Sequence, residues 1–313
     1  METATQAVLT QTIIMFIIVI IGALCYKFRL ITDEGKKQLS SLVMYIVNPL
    51  LIFLAYQTDF RKDLLVGLGW TAVMAVLTYA AFILIAQFII RDKEGRETAI
   101  ERFSIIYSNC GFMGTPLIFG VFGSEGVFLQ NGFITVFNLC VWTHGIMSMK
   151  GQKDGKSILR AFKTPALIAV FLGLIFFFLQ IRIPDIPYNA LNHVAEMTTP
   201  LAMLVAGASI ASSNIIKSLK NPRIYIITAL KLIVFPLIAL LIIAFLPAPE
   251  TSKLITLIEI GCPTATIGMM FAITFNKNAE YSSQIFAVTT LLSMATLPVI
   301  VLIGTTFLQY IAQ

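Results

Sequence analysis

Long apolar segments separated by short polar links are the dominant pattern along the chain. A helix that crosses a bilayer needs about 20 mostly apolar residues, and ten segments meet this requirement. They run over about 7–26, 39–58, 64–90, 103–122, 127–148, 165–181, 190–212, 224–246, 254–275 and 284–311. The pattern therefore predicts an all-α integral membrane protein with ten transmembrane helices, embedded in the lipid bilayer.

Composition agrees with this fold class. The chain is 58% hydrophobic and 12% charged, whereas a soluble domain carries about 25% charged residues. The net charge of +6 indicates orientation in a membrane, and no nucleic-acid partner is expected. The cysteines show no metal-binding or disulfide spacing, and no cofactor is expected apart from a coupling ion. Those cysteines are Cys25, Cys110, Cys140 and Cys262.

Basic residues are distributed asymmetrically between the links. Of the 22 Lys and Arg residues, 17 lie in the links after odd-numbered segments, 4 lie in the other links, and Lys231 lies inside the eighth segment. Cytoplasmic loops are enriched in Lys and Arg. The odd links are therefore predicted to be cytoplasmic, which places both termini outside.

The ten segments divide into two halves of five, 1–150 and 151–313. Because five is odd, the second half would enter the membrane inverted, as in many secondary transporters. Prolines support this division, because Pro49 corresponds to Pro200 and Pro116 corresponds to Pro263. We predict two inverted five-helix repeats. The alternative is that these prolines only kink transmembrane helices.

Two motifs predict broken helices in the fourth and ninth segments. The fourth contains S-N-C-G-F-M-G-T-P-L from Ser108, and the ninth contains G-C-P-T from Gly261. Proline removes a backbone donor, and unsatisfied backbone in hydrocarbon persists only where protein, water or a ligand repairs it. Half-helix ends attract ions, so a substrate site is expected near breaks at Gly114-Thr115-Pro116 and Cys262-Pro263-Thr264. Its candidate residues are Asn109, Gly114, Thr115, Pro116, Cys262, Pro263 and Thr264.

Other polar residues inside apolar segments extend this site or compete with it. Asn131, Thr135 and Asn138 form one helical stripe, which either completes the pocket or joins helices by hydrogen bonds. Lys231 either pairs with a carboxylate or extends to the interface. His193 and Glu196 are either a charge pair or proton relay, or are simply solvated near the outer interface.

The motifs N-C-G-F-M-G-T-P-L, C-P-T-A-T-I-G-M-M-F-A and N-P-L-L-I-F resemble the auxin efflux carrier family, including its bacterial members. That family is related to the bile-acid sodium symporters. The resemblance implies crossing broken helices 4 and 9, an organic-anion substrate, a bacterial inner (plasma) membrane location and a possible homodimer. It also implies a candidate Na⁺ site made by Ser108, Asn109 and Glu259. The alternative for Glu259 is a solvated position near the interface.

These observations predict a secondary active transporter of mono- or dicarboxylates such as malate, malonate or auxin-like acids, coupled to sodium. A proton-coupled carrier, a uniporter and an anion channel are the alternatives. An enzyme is not expected, because the two histidines, His144 and His193, belong to no nucleophile or metal motif.

Overall fold

The computed structural model describes residues 2–92, 97–151, 163–213 and 221–312. Every regular element in these ranges is helical. The α-helices are α1 (Glu2–Lys27), α2 (Asp33–Leu42), α3 (Asn48–Leu54), α4 (Lys62–Ile89), α5 (Thr98–Ile106), α6 (Thr115–Cys140), α7 (Ile146–Lys150), α8 (Pro165–Leu179), α9 (Asp185–Glu196), α10 (Thr198–Ser212), α11 (Pro222–Ala229), α12 (Phe235–Ala244), α13 (Glu250–Gly261), α14 (Ile267–Thr274) and α15 (Ala279–Ala312).

Seven helical stretches of the described residues are long and apolar enough to cross a membrane. They are Thr5–Lys27, Asp33–Leu54, Lys62–Ile89, Cys110–Lys150, Asp185–Ser212, Pro222–Ala244 and Ala279–Ile311. Three of the ten predicted spans are absent from this set for local reasons. The fourth and ninth are interrupted, and the sixth is a helix of 15 residues. The Cys110–Lys150 stretch contains a kink at Gly123, where φ is 63°.

Short π-helical turns accompany several prolines. Such turns span Val43–Val47, Cys110–Gly114 and Leu230–Val234, and each ends two residues before a proline. Proline lacks the N–H that an α-helix needs at that position, and a π turn rearranges the neighbouring carbonyls. These prolines therefore accompany a local widening of the helix, and the helix continues beyond them.

The helices pack as two groups. One group contains α1, α2, α3, α8, α9 and α10, and the remaining helices form the other. The contact of α1 with α10 is very close, since a Cβ added at Gly207 would lie 2.0 Å from the Val19 carbonyl oxygen. The groups meet where α1 contacts α6 and α15 and where α3 contacts α6.

Large apolar side chains cover much of the outer surface. Leu84, Phe88 and Leu241 are examples, and each exposes more than half of its area. A soluble protein rarely exposes apolar surface on this scale. The outer surface therefore fits a lipid environment, and the chain is a multi-pass membrane protein.

The predicted orientation depends on basic residues in the links between spans. In the links after the third, fifth and seventh predicted spans, most of these residues lie outside the described part of the chain, at 93–96, 152–162 and 214–220. The predicted repeats 1–150 and 151–313 and the predicted orientation therefore stay predictions.

Candidate functional site

Two helix interruptions meet inside the second group of helices. The first covers residues 107–109, between α5 and the Cys110–Gly114 turn, and the second covers 262–266, between α13 and α14. They run antiparallel, with Ser108 opposite Thr264. The Asn109 N–H donates to the Pro263 carbonyl at 2.8 Å, and the Ala265 N–H donates to the Tyr107 carbonyl at 3.0 Å. Each break thus satisfies backbone groups of the other, as a buried position requires.

The second break follows directly from its proline. The residue before a proline is disfavoured in the α conformation, and Cys262 has φ −62° and ψ 152°. Helix α13 accordingly ends at Gly261. Thr264 adds a side-chain bond, because its hydroxyl donates to the Ser104 carbonyl of α5.

The first break lies earlier than the sequence motif predicted. The prediction placed it at Gly114-Thr115-Pro116, but the chain is helical there, and Pro116 lies in the first turn of α6. The interruption is instead at Tyr107, Ser108 and Asn109. A proline in the first turn of a helix needs no hydrogen-bond donor, so Pro116 is compatible with the helix that follows the break.

Lys231 lies against both breaks. Its side chain is fully buried, and its Nζ donates to Ser108 Oγ at 2.5 Å and to the Ile260 carbonyl at 3.3 Å. Ser108 Oγ itself donates to the same carbonyl at 3.2 Å. The Lys231 side chain therefore does not extend to the membrane interface, which was the alternative given above.

Glu259 is buried beside the first break. Its exposed fraction is 0%, so it is not solvated at the interface. Gln130 Nε2 donates to Glu259 Oε1 at 2.7 Å and to Thr115 Oγ1 at 2.9 Å. Glu259 Oε2 forms no hydrogen bond with a described residue. The carboxylate covers Gly114, where an added Cβ would lie 2.4 Å from Oε1.

Gln130 was not among the predicted site residues, although a glutamine inside an apolar segment is a signal that could have found it. The adjacent residue Asn131 is fully buried, and its amide nitrogen and oxygen form no hydrogen bond with a described residue. Thr135 donates to the Asn131 carbonyl at 2.7 Å. The predicted stripe is therefore divided. Asn131 and Thr135 do not line the cavity that the next paragraph describes, whereas Asn138 lines it.

A cavity of about 330 Å³ lies beside the crossing. Three asparagines from different elements contribute to its wall, namely Asn48, Asn109 and Asn138. Asn48 Oδ1 is buried and forms no hydrogen bond with a described residue. Asn48 belongs to the N-P-L-L-I-F motif, where only the proline had been considered. The other lining residues are Met44, Tyr45, Ser108, Cys110, Gly111, Phe112, Ile134, Phe137, Trp142, Lys163, Thr164, Pro165, Ala166, Ala265, Thr266, Ile267 and Met270.

Several predicted substrate residues lie next to this cavity without lining it. They are Gly114, Thr115, Pro116, Cys262, Pro263 and Thr264. Cys262, Pro263 and Thr264 form the second break, whereas Gly114, Thr115 and Pro116 belong to the helical chain that follows the first break. Asn109 is part of the first break and also lines the cavity. The lining contains one ionisable amine, Lys163, and no carboxylate among the described residues.

His193 and Glu196 lie on α9, away from this arrangement. Their side chains are 81% and 53% exposed, and His193 Nδ1 lies 3.9 Å from Glu196 Oε2. Glu196 also accepts from Asn192 at 2.9 Å. Neither residue lines the cavity, and the solvated alternative fits their positions.

Two of the implied sodium ligands already have hydrogen-bond partners in this arrangement. A hard cation requires several free oxygen ligands, but Ser108 Oγ accepts from the Lys231 ammonium, and Glu259 Oε1 accepts from Gln130. A second cation beside a buried ammonium would also be repelled.

Comparisons with known proteins identify related membrane transporters. The family model described as membrane transport protein matches residues 7–158 and 153–301. An uncharacterised transporter of Methanocaldococcus jannaschii is 28% identical over 89% of this chain and 93% of its own. An uncharacterised transporter of Methanothermobacter thermautotrophicus is 24% identical over 92% of this chain and 96% of its own. A Rhizobium meliloti protein, provisionally named a malonate transporter, is 25% identical over 86% of this chain and 87% of its own.

The chain therefore belongs to this membrane transport family, which is that of the auxin efflux carriers, and the resemblance noted in its motifs is confirmed.

Proposed function

We propose that the chain is a secondary transporter that carries small organic anions, mono- or dicarboxylates, across the plasma membrane by alternating access. The observation that supports this most directly is the cavity beside the crossing. Its wall combines three carboxamides and an amine with aromatic and aliphatic side chains, and it contains no carboxylate among the described residues. A cavity of this kind suits a ligand with an anionic end and an apolar body.

The anionic end would bind at the polar part of the wall. Carboxamide N–H groups of Asn48 and Asn109 are hydrogen-bond donors for a carboxylate. Helix α8 begins at Pro165, beside the cavity, and a helix N-terminus carries partial positive charge. Lys163 adds a full charge at the same edge. Phe137 and Trp142 would contact the apolar part of the substrate.

We propose ten membrane crossings in two inverted repeats, with both termini outside. The support is local. Gly123 divides the Cys110–Lys150 stretch into two segments, and the paired breaks allow α5 and α13 each to continue across the membrane after an interruption. With α8 as a short crossing, the seven long stretches become ten. Alternating access would follow from movement of one helix group against the other.

We propose that substrate binding does not require sodium. The reason is Lys231 Nζ, which already donates to Ser108 Oγ and to the Ile260 carbonyl, where an ion would bind. Glu259 lies nearby with one oxygen unpaired among the described residues. A proton bound by this carboxylate is therefore an alternative coupling ion to sodium.

The test is a thermal-shift series on the detergent-purified chain. Malonate, malate, simple monocarboxylates and auxin-like acids would be compared in sodium and choline buffers, because a ligand that binds the folded state raises the unfolding temperature. We expect at least one acid to stabilise the protein equally in both buffers. The same acid should be taken up by proteoliposomes that contain the protein.

Asn109→Ala is the informative variant, and Asn192→Ala is its matched control on α9. The first should abolish the acid-dependent shift and uptake, and the second should retain both. A thermal shift that appears only in sodium buffer would overturn the proposal that substrate binding does not require sodium. Absence of any shift or uptake for every acid would overturn the organic-anion substrate.

A further inference from the structure

A second groove lies at the end of α1, outside the substrate cavity. Its volume is about 740 Å³. One wall is apolar and is formed by Ile20, Ala23 and Leu24 of α1, with Ala211 of α10 opposite. The other end is polar and basic, with Lys27 and Arg29 among its residues. The remaining lining residues are Tyr26, Ile31, Thr32 and Asp33.

The charge in this groove is positive. The Asp33 carboxylate accepts from Lys36 Nζ at 3.0 Å and from the Tyr26 hydroxyl at 3.2 Å, so its charge is already compensated. Within the described part of the chain, Lys27 and Arg29 have no acidic partner among the ion pairs. Both side chains are therefore available to an anion.

The apolar residues beside these two cations are exposed at the outer surface. Phe28 exposes 70% and Leu30 exposes 77% of its surface. They alternate with Lys27 and Arg29 where α1 ends, so the same turn offers apolar and basic side chains. A ligand that contacts both kinds of side chain would combine an apolar chain with an anionic group.

Arg29 occupies a backbone conformation that favours glycine. Its φ is 60°, and the Leu30 N–H donates to the Cys25 carbonyl at 2.9 Å in the helix-ending turn. Glycine is the usual residue at such a position, since other L-residues are strained there. An arginine here costs stability, and its side chain lies in the groove.

We infer that this groove binds an anionic phospholipid. The phosphate of the headgroup would contact Lys27 and Arg29, and an acyl chain would lie along Ile20 and Leu24. A basic side chain is attracted to an anionic membrane surface, and the apolar wall adds burial of the acyl chain. The site is separate from the substrate cavity and does not depend on the proposed function.

The experiment uses delipidated full-length protein and its unfolding temperature. Phosphatidylglycerol and phosphatidylcholine with identical acyl chains are added separately, and soluble glycerol phosphate is a third arm. We expect phosphatidylglycerol to give a clearly larger upward shift than phosphatidylcholine, and glycerol phosphate to give none. An equal shift from glycerol phosphate would identify a free phosphate ligand and overturn the lipid assignment.

Arg29→Gly distinguishes the effect of lipid binding on stability from the effect of backbone strain. Without lipid, this variant should be at least as stable as the original chain, because glycine relieves the positive φ. With phosphatidylglycerol, the unfolding temperature of this variant should rise above its value with phosphatidylcholine by at most half of the original difference. Lys27→Gln should lose a similar fraction of that difference.

Two control variants complete the test. Gln180→Gly relieves a comparable φ of 51° elsewhere, and Lys37→Gln removes an exposed cation outside the groove. Both should keep the full phosphatidylglycerol shift. An unchanged shift in Arg29→Gly, or an equal loss in the two controls, would overturn the site.

Discussion

The two helix breaks at the crossing look alike, but they have different origins. The break at 262–266 contains Pro263, and the extended conformation of Cys262 is what the residue before a proline prefers. The break at 107–109 contains no proline. Its extended residues are held by partners from elsewhere, including Lys231 on Ser108 and the Pro263 carbonyl on the Asn109 N–H.

The second break is therefore encoded locally and the first is imposed by tertiary contacts. Unpaired backbone in a membrane interior costs several kcal/mol, so the first break is stable only when the second faces it. Because of this dependence, the two breaks form one structural unit. Groups that join the two breaks should consequently matter more than the prolines that first drew attention to them.

The largest effect is expected for Lys231→Met. The substitution leaves Ser108 Oγ and the Ile260 carbonyl without their ammonium donor, and it leaves Glu259 buried without a nearby cation. Removing one member of a buried charged group costs about 3–5 kcal/mol. The unfolding temperature in detergent should fall markedly, and acid binding should be lost.

Lys253→Met is the matched control, because Lys253 Nζ also donates to a carbonyl, that of Ala244 at 2.8 Å, but at a partly exposed site. Its effect should stay below about 1 kcal/mol. An unfolding temperature that rises in Lys231→Met would mean that the buried ammonium is a net cost and does not hold the crossing together.

The contrast also explains what could be predicted from sequence. Apolar segment lengths predicted the helical membrane fold, and the C-P-T motif located the second break correctly, because both depend on neighbouring residues. The first break was assigned to Pro116, since the partners that stabilise Ser108 and Asn109 lie about 120 residues or more away. Asn48 was missed for the same reason, as its role depends on which helices face each other, whereas Gln130 could have been found from its position inside an apolar segment.

Gly114→Ala tests the contact between the helix after the first break and Glu259 on the other side. The new Cβ would lie 2.4 Å and 2.7 Å from the two carboxylate oxygens. Glu259 must then move away from Gln130, and overpacking of this kind costs about 1–3 kcal/mol. We expect a lower unfolding temperature and weaker acid binding.

Gly69→Ala is the control for this substitution, because nothing lies within 4 Å of its Cβ position on α4. Alanine is a better helix former than glycine by about 1 kcal/mol, so this variant should be neutral or stabilised. If both alanine variants behave alike, the contact with Glu259 does not constrain the crossing.

The smallest effect is expected from the two prolines, and their comparison separates the two origins directly. Pro116→Ala leaves a helix start that alanine also accepts, and it should change the free energy of unfolding by less than about 1 kcal/mol with acid binding intact. Pro263→Ala weakens the extended preference of Cys262 but keeps the backbone carbonyl that accepts from the Asn109 N–H. We expect a similar loss of stability but measurably weaker acid binding, detected by titrating both variants with the same acid. Equal binding in the two variants would show that tertiary contacts hold the second break as well, and the proposed distinction would then be wrong.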